Sequence, residues 1–149
     1  MPDFSSDPFT LQRFVDAQSG GVFEQALAEL QDGHKRSHWM WFVFPQLAGL
    51  GRSATAQRYG LTGAAEARAY AEHPVLGARL GECARALLEL PGSDPVAVLG
   101  SVDALKLRSC MTLFAEVTTA EPVFARVLDK YYDGEPDALT LEILSSEQP

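Results

Sequence analysis

Asp103 and Lys106 stand three residues apart in DALKLRSCMTLF (103–114), a spacing at which two side chains on one helix can meet. At about 100° per residue, Asp103 projects onto the face that carries Leu107 and Phe114, and Lys106 falls at its edge beside Cys110 and Val117. A carboxylate and an amine held against apolar walls can do general acid and base work, or the pair can simply bridge two helices. Both readings stand, and Asp103 and Lys106 are the candidate catalytic residues. A second cluster lies in GHKRSHWMWFVFPQ (33–46), where Lys35 and Arg36 neighbour His34, His38, Trp39 and Trp41. Cations beside large aromatic faces can hold a phosphate while a ring stacks on a base, each stacking contact contributing about 1–3 kcal/mol. The plainer reading puts both tryptophans in the core and lets the cations solvate a turn. The candidate ligand-binding residues are Lys35, Arg36, His38, Trp39, Trp41 and Gln46. Gln18 and Gln46 carry amides on apolar faces, where they either satisfy buried backbone groups or read a ligand.

Most other chemistry is excluded by what the chain lacks. It holds no GxxxxGK[ST] phosphate loop, no HExxH and no GxSxG, and Gly49-Leu50-Gly51 is not a GxGxxG fingerprint. His34, His38 and His73 form no ligand set with carboxylates or thiols, so no metal and no cofactor is expected. Cys83 and Cys110, the only cysteines, sit among apolar helical neighbours and read as reduced core residues.

With 149 residues and 46% hydrophobic content the chain fits one folded domain, 1–149. MPDFSSDPFT has neither the basic nor the apolar region of a signal peptide, and no apolar run approaches the roughly 20 residues of a membrane span. The cytoplasm is the expected compartment. A net charge of -8 argues against non-specific nucleic acid and anionic membrane as partners. The charge is uneven, however. Residues 91–149 carry four Lys/Arg against ten Asp/Glu, whereas residues 33–65 hold no acid at all and four cations, Lys35, Arg36, Arg52 and Arg58. That stretch predicts a small anion site.

The elements that must position these residues read as helices. Asp7-Pro8 caps the first, with Leu11, Phe14 and Val15 inward, and a second carries Val22 to Leu30 and stops at Gly33. HWMWFVFPQ is ambiguous between a buried short helix and a strand; with no second strand to pair with, helix is expected. Ser53 caps a short helix to Tyr59, and Thr62 caps one to about Glu72. Pro74 opens a longer helix that ends at Pro91-Gly92, and Asp94-Pro95 starts a brief one to Leu99. A long helix from Ser101 places Leu107, Cys110, Met111, Phe114 and Val117 on one stripe. Glu121-Pro122 opens another, and Asp137 caps the last, with fraying expected after Ser145. The expectation is an all-α bundle of about eight short helices.

The pieces DPFTLQRFVDAQ, HWMWFVFPQLAGLG, AEARAYAEHPVLGARL and DALKLRSCMTLF occur in the order seen in the domain-of-unknown-function family numbered 1810, which the chain resembles from Asp7 to about Leu144. The resemblance implies a compact all-α fold and brings no established activity, substrate or catalytic residue. Where that family pattern has a serine pair before Met, this chain has Ser109-Cys110. The carboxy-terminal order is similar in pattern to the tail of the NADAR family, which is associated with N-glycosidic and ADP-ribose chemistry. That similarity implies a nucleotide base at Trp39 and Trp41, phosphates at Lys35 and Arg36, and Asp103 and Lys106 near the scissile bond.

These readings converge on a helical domain, monomer or homodimer. It is expected to lodge a small phosphorylated or nucleotide-like ligand between residues 34–46 and 103–114, with N-glycosidic hydrolysis as a further step. The alternative is a non-catalytic module that uses the aromatic and basic segment as a protein contact.

Overall fold

A computed structural model describes residues 7–147, and among them the chain forms ten helices and no strand. They are α1 (Gln12–Ala17), α2 (Val22–Asp32), α3 (Met40–Val43), α4 (Ala54–Tyr59), α5 (Ala64–Glu72), α6 (Leu76–Glu89), α7 (Pro95–Leu99), α8 (Ser101–Val117), α9 (Val123–Tyr132) and α10 (Ala138–Ser146). The expected all-α class holds. Each of the ten falls on a segment marked as helical in the sequence, so the count passes about eight without any unforeseen element. The amino-terminal reading of residues 1–6 lies outside the described residues.

Local chemistry sets most boundaries. Gly33, at φ 79°, closes α2 in a left-handed conformation that costs other residues more. Ser53, Asp94 and Asp137 each accept a backbone N–H at the start of α4, α7 and α10. Two expected caps act differently. The Asp7 carboxylate accepts from Leu11 and Gln12 N–H, so α1 begins four residues later than Pro8 would place it. Thr62 does not cap α5; its N–H and hydroxyl both donate to the buried Glu66. The HWMWFVFPQ run is helical for one turn only. Beyond it the chain extends, and Leu47 forms a single parallel bridge with Leu61.

α8 is the central element, packed by α5, α7, α9 and α10, while α6 packs on α2, α5 and α9. Its expected single apolar stripe is corrected by burial of every residue from Ser109 to Phe114. The side opposite the stripe is covered by α10, where Thr112 Oγ1 accepts the Asp137 N–H at 2.8 Å. Four aromatic rings cross the core in contact, Phe14 to Tyr70 (5.1 Å, edge-on), Tyr70 to Phe114 (5.6 Å) and Phe114 to Phe124 (5.7 Å), linking α1, α5, α8 and α9. Cys83 and Cys110 are buried free thiols, and burial pushes the Cys83 thiol up to about 12. α10 runs to Ser146, past the residue at which fraying was expected, and Glu147 accepts the Ala64 N–H at 3.2 Å. Residues 148 and 149 lie outside the described residues.

The loop from α2 to α3 is held by one buried side chain. Glu29 Oε1 accepts from the backbone N–H of Arg36 (2.7 Å) and Ser37 (3.0 Å) and from Trp39 Nε1 (2.9 Å). Glu29 Oε2 accepts from Ser37 Oγ (2.6 Å) and Gln25 Nε2 (2.7 Å). Burial works to raise the Glu29 pKa, but the donors from Ser37, Gln25 and the Arg36 and Ser37 backbone prevail and hold it well below the usual carboxylate range. A carboxylate depressed in this way stabilises the fold fully above its unfolded pKa of about 4.3, and that contribution fades as pH falls toward the folded value. Glu29→Ala leaves buried donors without an acceptor and is expected to lower stability by about 3–5 kcal/mol, measured by urea unfolding at pH 7. Glu29→Gln is expected to lose less stability than the parent between pH 5 and pH 3. Parallel pH profiles would show that the carboxylate charge is not what the donors hold.

Candidate functional site

Three side chains singled out by sequence meet in one place. α3 and the segment after it, the amino-terminal half of α8 and the start of α10 border a cleft of about 340 Å³. Trp41, Gln46 and Lys106 line it, joined by Arg108, Ser109 and Asp137 as further polar groups. Leu50, Val102, Leu105 and Leu139 supply its apolar wall and lip. Trp41 forms one side: its ring edge packs on Gly51, where a Cβ would stand 3.2 Å from Trp41 Cη2, and Lys106 Nζ lies 4.0 Å from its ring centroid. Gln46 is placed by its own backbone, since its carbonyl accepts the Leu61 N–H at 3.0 Å beside the Leu47 bridge. Asp137 reaches the cleft because its N–H is docked on Thr112.

Asp103 and Lys106 meet as the spacing allows, and Lys35 joins them. Asp103 Oδ1 binds Lys106 Nζ at 3.1 Å, and Asp103 Oδ2 binds Lys35 Nζ at 3.0 Å. All three side chains are largely covered, at 10%, 17% and 18% exposure for Lys35, Asp103 and Lys106. Burial would raise the Asp103 pKa; hydrogen bonds and charge from Lys35 and Lys106 outweigh it and lower the pKa. Asp103 is thus held ionised between two ammonium groups and is not among the residues lining the cleft. Its contact with Lys106 holds that ammonium beside the Trp41 ring.

The expectations for the loop need correction. Trp39 is 1% exposed, with its N–H on Glu29 and its ring facing Lys35 at 5.1 Å, so a ligand has no face of it to stack on. Arg36 is exposed and pairs with Asp32 of α2, and His38 is exposed; neither lines the cleft. Lys35 pairs with Asp103 and does not line the cleft. Lys35 and Arg36 of the acid-free stretch therefore turn to two different acids, and neither lines the cleft. The cations of the cleft come from α8, and Arg108 also reaches the Glu135 carbonyl, pairs with the exposed Glu135 carboxylate at 3.4 Å and packs on Tyr132. Sequence reasoning missed Arg108 and took Asp137 only as a cap; their signal lies in the return of α10 to α8. Gln18 settles on the structural side, donating to the Phe42 carbonyl at 2.7 Å and accepting from Arg79.

A larger depression of about 430 Å³ lies between the α5–α6 and α8–α9 turns, with an apolar floor of Leu80, Val117 and Phe124. It contains none of the residues whose chemistry the sequence singled out. Among the described residues, no helix is long and apolar enough to cross a membrane.

An all-helical domain with a single-sided polar cleft on its central helix is thus the class that fold and site define. The chain belongs to the family described as "Protein of unknown function (DUF1810)", whose model matches residues 8–144. It is similar to the crystal structure of the conserved hypothetical protein Rv1873 from Mycobacterium tuberculosis. The two are 48% identical with a TM-score of 0.91, over 93% of this chain and 99% of that one. No curated protein matches the chain.

Removing the shared counter-charge exposes what it does. Asp103→Ala is expected to cost about 1–2 kcal/mol at 50 mM salt, because two covered ammonium groups then face each other. The loss is expected to shrink at 1 M salt, where the Debye length is about 3 Å. Chemical unfolding at the two salt concentrations measures both, and a salt-independent loss would point to packing instead.

Proposed function

We propose that the protein binds a small phosphorylated molecule in the cleft between the Trp41–Leu50 segment and α8. The observation that carries this reading is the convergence of two cations, Lys106 and Arg108, with the half-buried Trp41 around one concave space. Its volume of about 340 Å³ falls within the range of small-molecule sites. Lys106 is preorganised by Asp103 and Trp41, so an anion meets a cation whose side-chain entropy is already spent. Hydrolysis of an N-glycosidic bond would be a further step, for which the ionised Asp103 lacks a proton to give.

A second reading, a protein contact, is favoured by the exposed Val102, Leu105 and Leu139 at the lip of the cleft. It extends to a homodimer, which sedimentation of Leu105→Asp against the parent would register.

Thermal-shift titration with sugar phosphates, nucleotides and ADP-ribose tests the ligand reading. Ligand at about 100 times its dissociation constant adds about 2.7 kcal/mol. Lys106→Ala/Arg108→Ala is expected to abolish the shift, and Arg36→Ala to leave it intact. No stabilisation at millimolar ligand would sink the proposal.

A further inference from the structure

Seven polar or charged residues are buried among the described residues: Gln18, Glu29, Gln46, Glu66, Ser109, Thr112 and Thr140. Six have side-chain hydrogen-bond partners. Gln18 meets Phe42 and Arg79; Glu29 and Glu66 are saturated by nearby donors; the three hydroxyls donate to oxygens within their own helices or caps. Gln46 is the exception. It is 7% exposed, lines the cleft, and its side-chain amide makes no hydrogen bond among the described residues. Yet among the described residues no side-chain nitrogen or oxygen is both sealed from solvent and unpartnered, so the Gln46 amide opens onto the space it lines. An amide that opens onto a cleft without a protein partner keeps its donor and acceptor for whatever occupies that cleft.

We propose that Gln46 is the recognition residue of the cleft, its amide pairing with a planar group that presents a hydrogen-bond donor next to an acceptor. This rests on the ligand reading above and names the part of the ligand that the cations do not hold. A carboxamide offers one acceptor and one donor side by side in a plane, which matches the edge of a purine base or a primary amide on a ring. The backbone anchor at Leu61 fixes where the amide starts, and Ser109 and Asp137 add an acceptor-rich border to the same cleft. The anionic end of such a ligand falls to Lys106 and Arg108. The ligand class is a ring-bearing phosphate, either a purine nucleotide or a nucleotide of a ring carboxamide.

Calorimetric titration with AMP, nicotinamide mononucleotide and ribose 5-phosphate distinguishes the two sources and supplies a control without a planar edge. The parent is expected to bind one of the first two at least tenfold more tightly than ribose 5-phosphate. Gln46→Met and Gln46→Glu are expected to weaken that ligand about ten- to hundredfold. Gln46→Met should bind ribose 5-phosphate as the parent does, and its free form should keep or raise the parental Tm, because an unpartnered amide has been removed. Equal binding of all three probes by the parent overturns the role of Gln46 and leaves the phosphate site standing. A marked fall in the Tm of Gln46→Met also overturns it, since the amide would then be structural. Failure of every probe to bind overturns the ligand reading itself, and this inference with it.

Discussion

A carboxylate drawn into the interior of a protein must be surrounded by donors, and Glu29 obtains its donors from the loop that leads into the cleft. The backbone N–H groups of Arg36 and Ser37 and the indole of Trp39 all turn toward one oxygen. That single constraint determines the direction in which α3 leaves. With the Trp39 indole anchored inward, Trp41, two residues on, is left half-covered and lines the cleft. Gln18 then fixes the other end of the one-turn helix through the Phe42 carbonyl. A four-residue helix has little stability of its own; it persists because buried polar groups clamp it at both ends.

The second tier is electrostatic and is built on the first. The loop fixed by Glu29 delivers Lys35 to Asp103, with its backbone N–H on the Val98 carbonyl at 2.8 Å. Two ammonium groups share one carboxylate, so the cluster keeps a net positive charge in a chain of formal charge -8. Partly covered ions repay their desolvation only when each is well paired, and here the carboxylate is paired on both oxygens. The arrangement favours a stationary charge over a titrating one. Asp103 is kept ionised, and Lys106 is kept over the Trp41 ring. Asp103 itself carries no proton to give at neutral pH, whereas an anion entering the cleft meets a cation already in place.

Much of the helical frame was legible in the sequence because it is local. Ser53, Asp94 and Asp137 bond within three residues, and Gly33 adopts the conformation its position requires. The near-continuous helix periodicity gave the all-α class, and the segments on either side of the cleft were both marked. What could not be read was which member of each pair would face inward. Trp39 and Trp41 are alike in composition and neighbourhood; Glu29 alone separates them, and its burial depends on a loop closing over α2. The acid-free stretch misled for the same reason. Two of its four cations, Arg36 and Lys35, point to Asp32 and to Asp103, one in the preceding helix and the other far along the chain.

The two glutamines carry the same lesson further. Gln18 and Gln46 are both more than nine-tenths buried and both lie on apolar faces. Gln18 finds the Phe42 carbonyl, the Tyr70 hydroxyl and the Arg79 guanidinium around it, all from other elements. Gln46 has its backbone carbonyl paired with Leu61, and its side chain lines the cleft without a partner among the described residues. A sequence states that an amide is present, but a partner is a property of the fold, because most partners are backbone groups delivered from elsewhere. The amide that the fold leaves unpaired inside a cleft is therefore information that arises only at the level of tertiary structure. It gives the cleft a polar group whose hydrogen-bonding capacity the rest of the protein does not use.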